Sequence, residues 1–148
     1  MLKKKFFNAS SCSNTALLLV GKVEEGELFV CEEHGATPRL GAGLARTGCL
    51  EDVALERTVE VLRHFVERMD VNGVALHRRR FAGTAVLRRA VDAERLINRV
   101  REELGVVLEV LPEEEEARLL TELDSLHKGA FYNSCCLMHM LSKAFVCR

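Results

Sequence analysis

Residues 74–111, VALHRRRFAGTAVLRRAVDAERLINRVREELGVVLEVL, change hydrophobic period repeatedly, and their reading decides the fold class. The run 74–82 is extended in character, with apolar residues bracketing Arg78-Arg79-Arg80, and Gly83-Thr84 then turns the chain into a short helix. Asp92 opens a second helix whose apolar face is Leu96, Ile97, Val100 and Leu104, at the three- and four-residue steps of an α-helix. Gly105 stops it, because glycine takes the left-handed conformation of a C-terminal cap without steric cost. Residues 106–111 form a short apolar run of the kind a strand covered on both faces shows. Strand, helices, strand is a crossover unit, and such crossovers between parallel strands are right-handed.

Working outward, 16–20 and 27–32 are apolar-rich runs separated by Glu24-Glu25-Gly26, the spacing of a β-hairpin. A third strand is expected over 36–40, followed by a loop marked by Gly41, Gly43 and Gly48. Leu55, Val59, Leu62, Val66 and Met69 then recur at steps of four and three, which predicts an amphipathic helix over 52–70. Asp52 suits the positive end of its dipole, and Asn72-Gly73 ends it. Downstream, Pro112 opens a helix from Glu113 to Leu123. The order ββ(β)αβααβα gives an α/β fold, a mixed sheet with helices packed on it.

The length of 148 residues suffices for one hydrophobic core, since such a chain buries roughly 70% of its unfolded surface. A hydrophobic content of 48% excludes a disordered chain, and no apolar run approaches the roughly 18 residues of a membrane span. The cysteines, Cys12, Cys31, Cys49, Cys135, Cys136 and Cys147, show no disulfide framework and suit a reducing compartment. The polar stretch 8–15 splits what would be the apolar region of a secretory signal, so a cytoplasmic location is expected. The net charge of −1 hides segregation: residues 78–101 carry eight arginines against Asp92 and Glu94, and 102–124 are strongly acidic. Arginine-rich stretches are ordinarily solvated faces paired with nearby acids, and the alternative is a polyanion-binding surface.

Ligands of such sheets sit where strands end and loops enter helices. Three of these places carry suitable chemistry: Ser13-Asn14-Thr15, the segment from Gly83 through Thr84 to Arg88, and Glu113 to Glu116. Hydroxyls and backbone N–H groups in turns cradle phosphate oxygens, and an arginine adds a fixed cationic fork. A carboxylate nearby can deprotonate a water for in-line attack on phosphorus. Each alone has a plain structural explanation, since glutamates after a proline favour a helix start and Glu114 with Arg118 is an ordinary i,i+4 pair.

Together these residues carry a resemblance. SNTALLLV (13–20), RLGAGLARTGCL (39–50), GTAVLRRAVDAERLINRVREELG (83–105) and VLEVLPEEEEARLL (107–120) resemble, in order and spacing, the N-terminal half of the exopolyphosphatase and guanosine pentaphosphate phosphohydrolase (Ppx/GppA) family. The resemblance implies one lobe of an actin-like ATPase (ribonuclease H-like) fold over 1–123, with 124–148 a divergent tail. It implies hydrolysis of the terminal phosphoanhydride of inorganic polyphosphate or guanosine pentaphosphate with Mg²⁺. Carried over by motif, Glu116 matches the catalytic base and Glu115 is its neighbour in the motif. Arg88 matches the phosphate-binding arginine, Ser13, Asn14 and Thr15 the polar part of the first phosphate loop, and Arg39 with Gly41 to Gly43 the loop beside the cleft. Thr84 joins the phosphate-binding candidates.

The chain also departs from that family. Its first loop reads Asp-x-Gly-Ser-Asn-Ser/Thr, whereas here Ser10 and Cys12 replace the acid and the glycine. Mg²⁺ prefers charged oxygen ligands, so Ser10 weakens the expected metal site. The family's second loop, Asp-Ile-Gly-Gly-Gly-Ser, has no counterpart, so a shortened, impaired hydrolase is expected. The alternative is a non-catalytic single-lobe module binding polyphosphate or a partner through 78–101, with a homodimer or a second-lobe partner covering the open side. Nucleic acid and membrane are not expected partners. His127, Cys135, Cys136, His139 and Cys147 are zinc ligand types, but adjacent Cys135-Cys136 and the lack of a spaced cysteine pair argue against a tetrahedral site. No motif places a His base beside Cys12, which argues against a nucleophile there.

Overall fold

The computed structural model describes the backbone of residues 4–11, 14–24 and 27–118, and the side chains of 14–22 and 31–118. Its strands are β1 (Lys4–Ser11), β2 (Ala16–Glu24), β3 (Glu27–Ala36), β4 (Arg79–Gly83) and β5 (Leu108–Val110). They form one sheet in the order β3-β2-β1-β4-β5. β1, β2 and β3 pair antiparallel, and β1, β4 and β5 pair parallel. The expected mixed sheet is therefore present.

The helices are α1 (Leu44–Thr47), α2 (Asp52–Val71), α3 (Ala85–Arg89) and α4 (Ala93–Leu104), followed by α5, helical over 113–118. α2 presents Leu55, Val59, Leu62, Phe65 and Met69 to the core, and α4 presents Leu96, Ile97 and Val100. These meet Ala16, Leu18 and Val20 of β2, Phe81 of β4 and Leu108 of β5. Leu17 and Leu19 alternate with that set and are buried as well, outside the cluster. Burial on both faces is why 16–20 reads as a continuous apolar run rather than an alternating one.

Four expectations are corrected. The third strand is not 36–40: β3 itself runs to Ala36, and 37–39 carry no regular structure. The strand that completes the sheet is β1, whose Lys, Asn and Ser are poor strand formers. Its central place, with a backbone partner on either side, outweighs that local preference. The middle strand starts later than 74, because a 3₁₀ turn occupies Leu76–Arg78. Arg79 holds that turn: its Nε and Nη2 donate to the Val74 carbonyl at 3.0 and 2.8 Å, and Nη2 reaches Asp70 at 2.5 Å. The last strand is likewise shorter than 106–111, and α1 occupies part of the expected loop.

The arginine-rich stretch 78–101 is largely spent on structure. Arg95 pairs with Asp52, Arg99 with Glu56, and Arg63 of α2 with Glu103 of α4. Both members advance along their helices together, so α2 and α4 run parallel with an ion-paired seam between them. Arg79, Arg80 and Arg88 pair with Asp70, Glu109 and Glu116. Five of the eight arginines of this stretch thus lie on separate elements with their charges matched by acids.

Candidate functional site

One row of the sheet assembles the site. Reading across the strands, Ala36, Ala16, Ser11, Gly83 and Val110 stand side by side. At a strand spacing of about 4.8 Å the row is about 19 Å long. Just beyond it lie Pro38 and Arg39 after β3, Asn14 and Thr15 before β2, Thr84 after β4, and Leu111 after β5. The strand ends singled out in the sequence thus converge on one rim.

At the β4 end, Gly83 makes a tight turn into α3. A Cβ there would come within 2.2 Å of Leu87 Cδ1, so any larger residue would have to displace the buried Leu87 side chain. Thr84 follows with only 2% of its surface exposed, and its carbonyl accepts the N–H groups of Leu87 and Arg88 at 3.0 and 3.2 Å. Leu111 donates its N–H to the Gly83 carbonyl at 2.9 Å, which continues the β4–β5 ladder past the last strand residue.

Arg88 projects from α3 to the start of α5. Its Nη1 donates to the Leu111 carbonyl at 2.7 Å and its Nη2 to Glu116 Oε2, also at 2.7 Å. The two side chains are 23% and 21% exposed, enough to reach solvent and little enough to be held in place. Sequence reading selected Arg88 and Glu116 separately; the fold makes them direct partners. Glu115 points elsewhere, its carboxylate bonded to Arg118 at 2.7 and 3.1 Å.

At the other end, Arg39 donates its backbone N–H to the Asn14 carbonyl at 3.1 Å. Its φ of 55° is the left-handed conformation, uncommon for any residue but glycine and held here by that contact. The Arg57 guanidinium bonds the Pro38 carbonyl at 3.0 Å and ties the same loop to α2. Arg39 is exposed, and its guanidinium has no partner among the described residues. Asn14 is exposed and Thr15 half-buried.

Two anchors escaped sequence reading, the Leu111 carbonyl and Asp92. Asp92 accepts the Leu50 N–H at 2.8 Å and pins the 48–51 loop to the start of α4. Burial pushes its carboxyl up, but the Leu50 N–H, Arg95 and its own N–H outweigh that and hold it below the usual range. A backbone carbonyl leaves no side-chain signal, and the Leu50–Asp92 contact joins residues 42 positions apart.

Ser13, Cys12 and the zinc ligand types of the tail lie outside the described residues, as does the boundary near Leu123. Ser10 pairs in register with Leu17 and Ala82, one position inside the rim row. Among the described residues no group of three or more His, Cys, Asp or Glu side chains comes together as a metal site. With Glu115 and Glu116 bonded to arginines and a neutral residue at 10, the described residues do not fit the Mg²⁺ that the resemblance implies. No described helix is long and apolar enough to cross a membrane.

The sequence pattern of the Ppx/GppA phosphatase family matches residues 19–123. A guanosine-5'-triphosphate,3'-diphosphate pyrophosphatase of Photobacterium profundum is 38% identical over 82 residues, covering 55% of this chain and 16% of that protein. The crystal structure of the Aquifex aeolicus Ppx/GppA family member superimposes with a TM-score of 0.77 at 29% identity, over 84% of this chain and 41% of that one. An exopolyphosphatase from Cytophaga hutchinsonii ATCC 33406 shares the fold, with a TM-score of 0.74 at 23% identity over 78% of this chain and 36% of that one. The chain thus spans less than half the length of these relatives.

Proposed function

Because the chain belongs to the Ppx/GppA phosphatase family, we propose that it is one lobe of a phosphoanhydride hydrolase that removes the terminal phosphate of inorganic polyphosphate or guanosine pentaphosphate. The observation that carries this reading is the Arg88–Glu116 contact at the rim where β1, β4 and β5 end together. A guanidinium fork beside a carboxylate supplies two of the groups that water attack on a phosphoanhydride uses, a cation on the phosphate oxygens and a base for the water. Arg88 binds non-bridging oxygens of the terminal phosphate and offsets the charge that builds on them. Glu116 takes a proton from water as the water oxygen bonds to phosphorus. The bridging P–O bond breaks, and the shortened phosphate leaves with the bonding pair. Arg39 follows β3, three strands along the sheet from β4, and holds a more distant part of the same anion, which favours a substrate with several phosphates.

The proposal includes impaired turnover by this chain alone. A phosphoryl site preorganises donors on both sides of the transferred group. The described residues build one side, and the other belongs to a second lobe or a second copy of the chain. The test is phosphate release from long-chain polyphosphate by the wild-type chain beside Glu116→Gln and Arg88→Ala. Slow release, reduced at least about a hundredfold in Glu116→Gln and lost in Arg88→Ala, is the expected result. Release that survives Glu116→Gln undiminished would overturn the assignment of the base.

A further inference from the structure

Glu116 is not free in the fold. Its Oε2 already accepts Arg88 Nη2, and a carboxylate engaged by a guanidinium does not offer that lone pair to a water. Arg88 is held at two points of different kinds. Nη1 bonds the Leu111 carbonyl, a fixed backbone atom at the end of the β4–β5 ladder, while Nη2 bonds a side chain in the first turn of α5. Only the second can be exchanged by rotating side-chain torsions.

We propose that Arg88 exchanges Glu116 for a terminal phosphate of a condensed phosphate, so that the anion itself frees the carboxylate. The inference rests on the roles given above to Arg88 and Glu116, and adds how the two are coupled. Without ligand, Glu116 keeps the Arg88 fork aimed at the rim. An arriving phosphate carries more charge and more acceptor oxygens than a carboxylate, and competes for the same Nη2. Nη1 stays on Leu111 throughout, so Arg88 pivots rather than leaves. Glu116 is then released beside the bound phosphate, where repulsion turns it toward water. The neighbouring carboxylates of that turn are not switched in this way: Glu115 is engaged by Arg118 of its own helix, and Glu114 is exposed.

The exchange makes Glu116 a competitor of the anion, and a binding experiment reads this without turnover. Calorimetric titration with inorganic tripolyphosphate at fixed ionic strength compares wild type, Glu116→Gln, Glu114→Gln, Arg88→Gln and the double variant Arg88→Gln/Glu116→Gln. Glutamine at 88 keeps a donor for the Leu111 carbonyl, and circular dichroism checks that each variant is folded. Glu116→Gln is expected to tighten binding about two- to fivefold, the worth of a partly exposed ion pair. Glu114→Gln, which removes the same charge from the same helix turn, is expected to change it less than about twofold. In the Arg88→Gln background the gain from Glu116→Gln disappears, since additivity fails only where two groups share an interaction. Unchanged or weaker binding by Glu116→Gln overturns the proposal. So does a gain that persists without Arg88, which would be a general field effect, and so does the absence of tripolyphosphate binding in every form. Coupling without phosphate release sinks the hydrolase reading alone, whereas release dependent on both residues without coupling sinks the exchange alone.

Discussion

Adding one methyl group at the β4–α3 turn tests whether the site is positioned by close packing. In Gly83→Ala the new Cβ would sit 2.2 Å from Leu87 Cδ1 and 3.0 Å from Leu87 Cγ, so Leu87 must move by more than an ångström. Leu87 is 3% exposed and belongs to the core, so any shift of it is made among buried side chains. Forcing a buried side chain off its rotamer and crowding its neighbours costs about 1–3 kcal/mol. Gly83 does not have positive φ, so alanine there recovers about 0.4–1 kcal/mol through a less flexible unfolded chain. The net expectation is a loss of about 1–2 kcal/mol. Leu87→Ala alone should cost about 2–4 kcal/mol through the cavity it leaves. In the double variant the alanine methyl at 83 enters that cavity, so its cost should fall at least about 1 kcal/mol below the sum of the single costs. Urea unfolding of the four proteins supplies the cycle, with unchanged m-values showing that stability alone has moved. A Gly83→Ala cost below about 0.5 kcal/mol, or additive costs, would refute the argument.

Arg79→Gln removes a guanidinium that is only 8% exposed and strips the Val74 carbonyl of both its bonds, which should cost about 1–3 kcal/mol in urea unfolding; Arg79→Lys should not restore it, because one ammonium cannot reproduce the fork. Glu32 of β3 accepts Arg68 Nε at 2.6 Å, and this bond, opposed by burial and aided by Asn72 and His34, holds its carboxyl down at about 2. A lowered folded value gives stability that is full above the unfolded value of 4.5 and is lost as pH falls from there toward 2, so wild type should lose about 1–2 kcal/mol more than Glu32→Gln over that window in acid titration of the unfolding midpoint. Parallel pH curves for the two proteins would contradict that reading.

The periodic elements were legible because their signal is local. The step pattern of Leu55, Val59, Leu62 and Met69 fixes α2 without reference to any other segment, and Leu96, Ile97, Val100 with Gly105 do the same for α4. The alternation of strands and helices then required a mixed α/β sheet, and the four motif pieces pointed to a family that the comparison bears out. The residues of the candidate site were named from those motifs, but their sequence neighbourhoods said nothing of what each would touch.

What tertiary structure alone decided was pairing over distance. β1 has only Phe6-Phe7 as a strand signal in KKFFNASS and is held because β2 and β4 supply backbone partners on both sides. Pairing of the 78–101 arginines with nearby acids was the ordinary expectation, and Arg95 and Arg99 do bond Asp92 and Glu103, but their partners on α2, Asp52 and Glu56, lie 43 residues away in sequence and could not be read from it. Arg88 and Glu116, 28 residues apart, meet because β4 and β5 lie parallel and side by side, so that the helices leaving them start from the same rim. Hydrophobic period is a property of one segment and can be read from it. Electrostatic and hydrogen-bond partners are properties of two, and the sheet register chooses them.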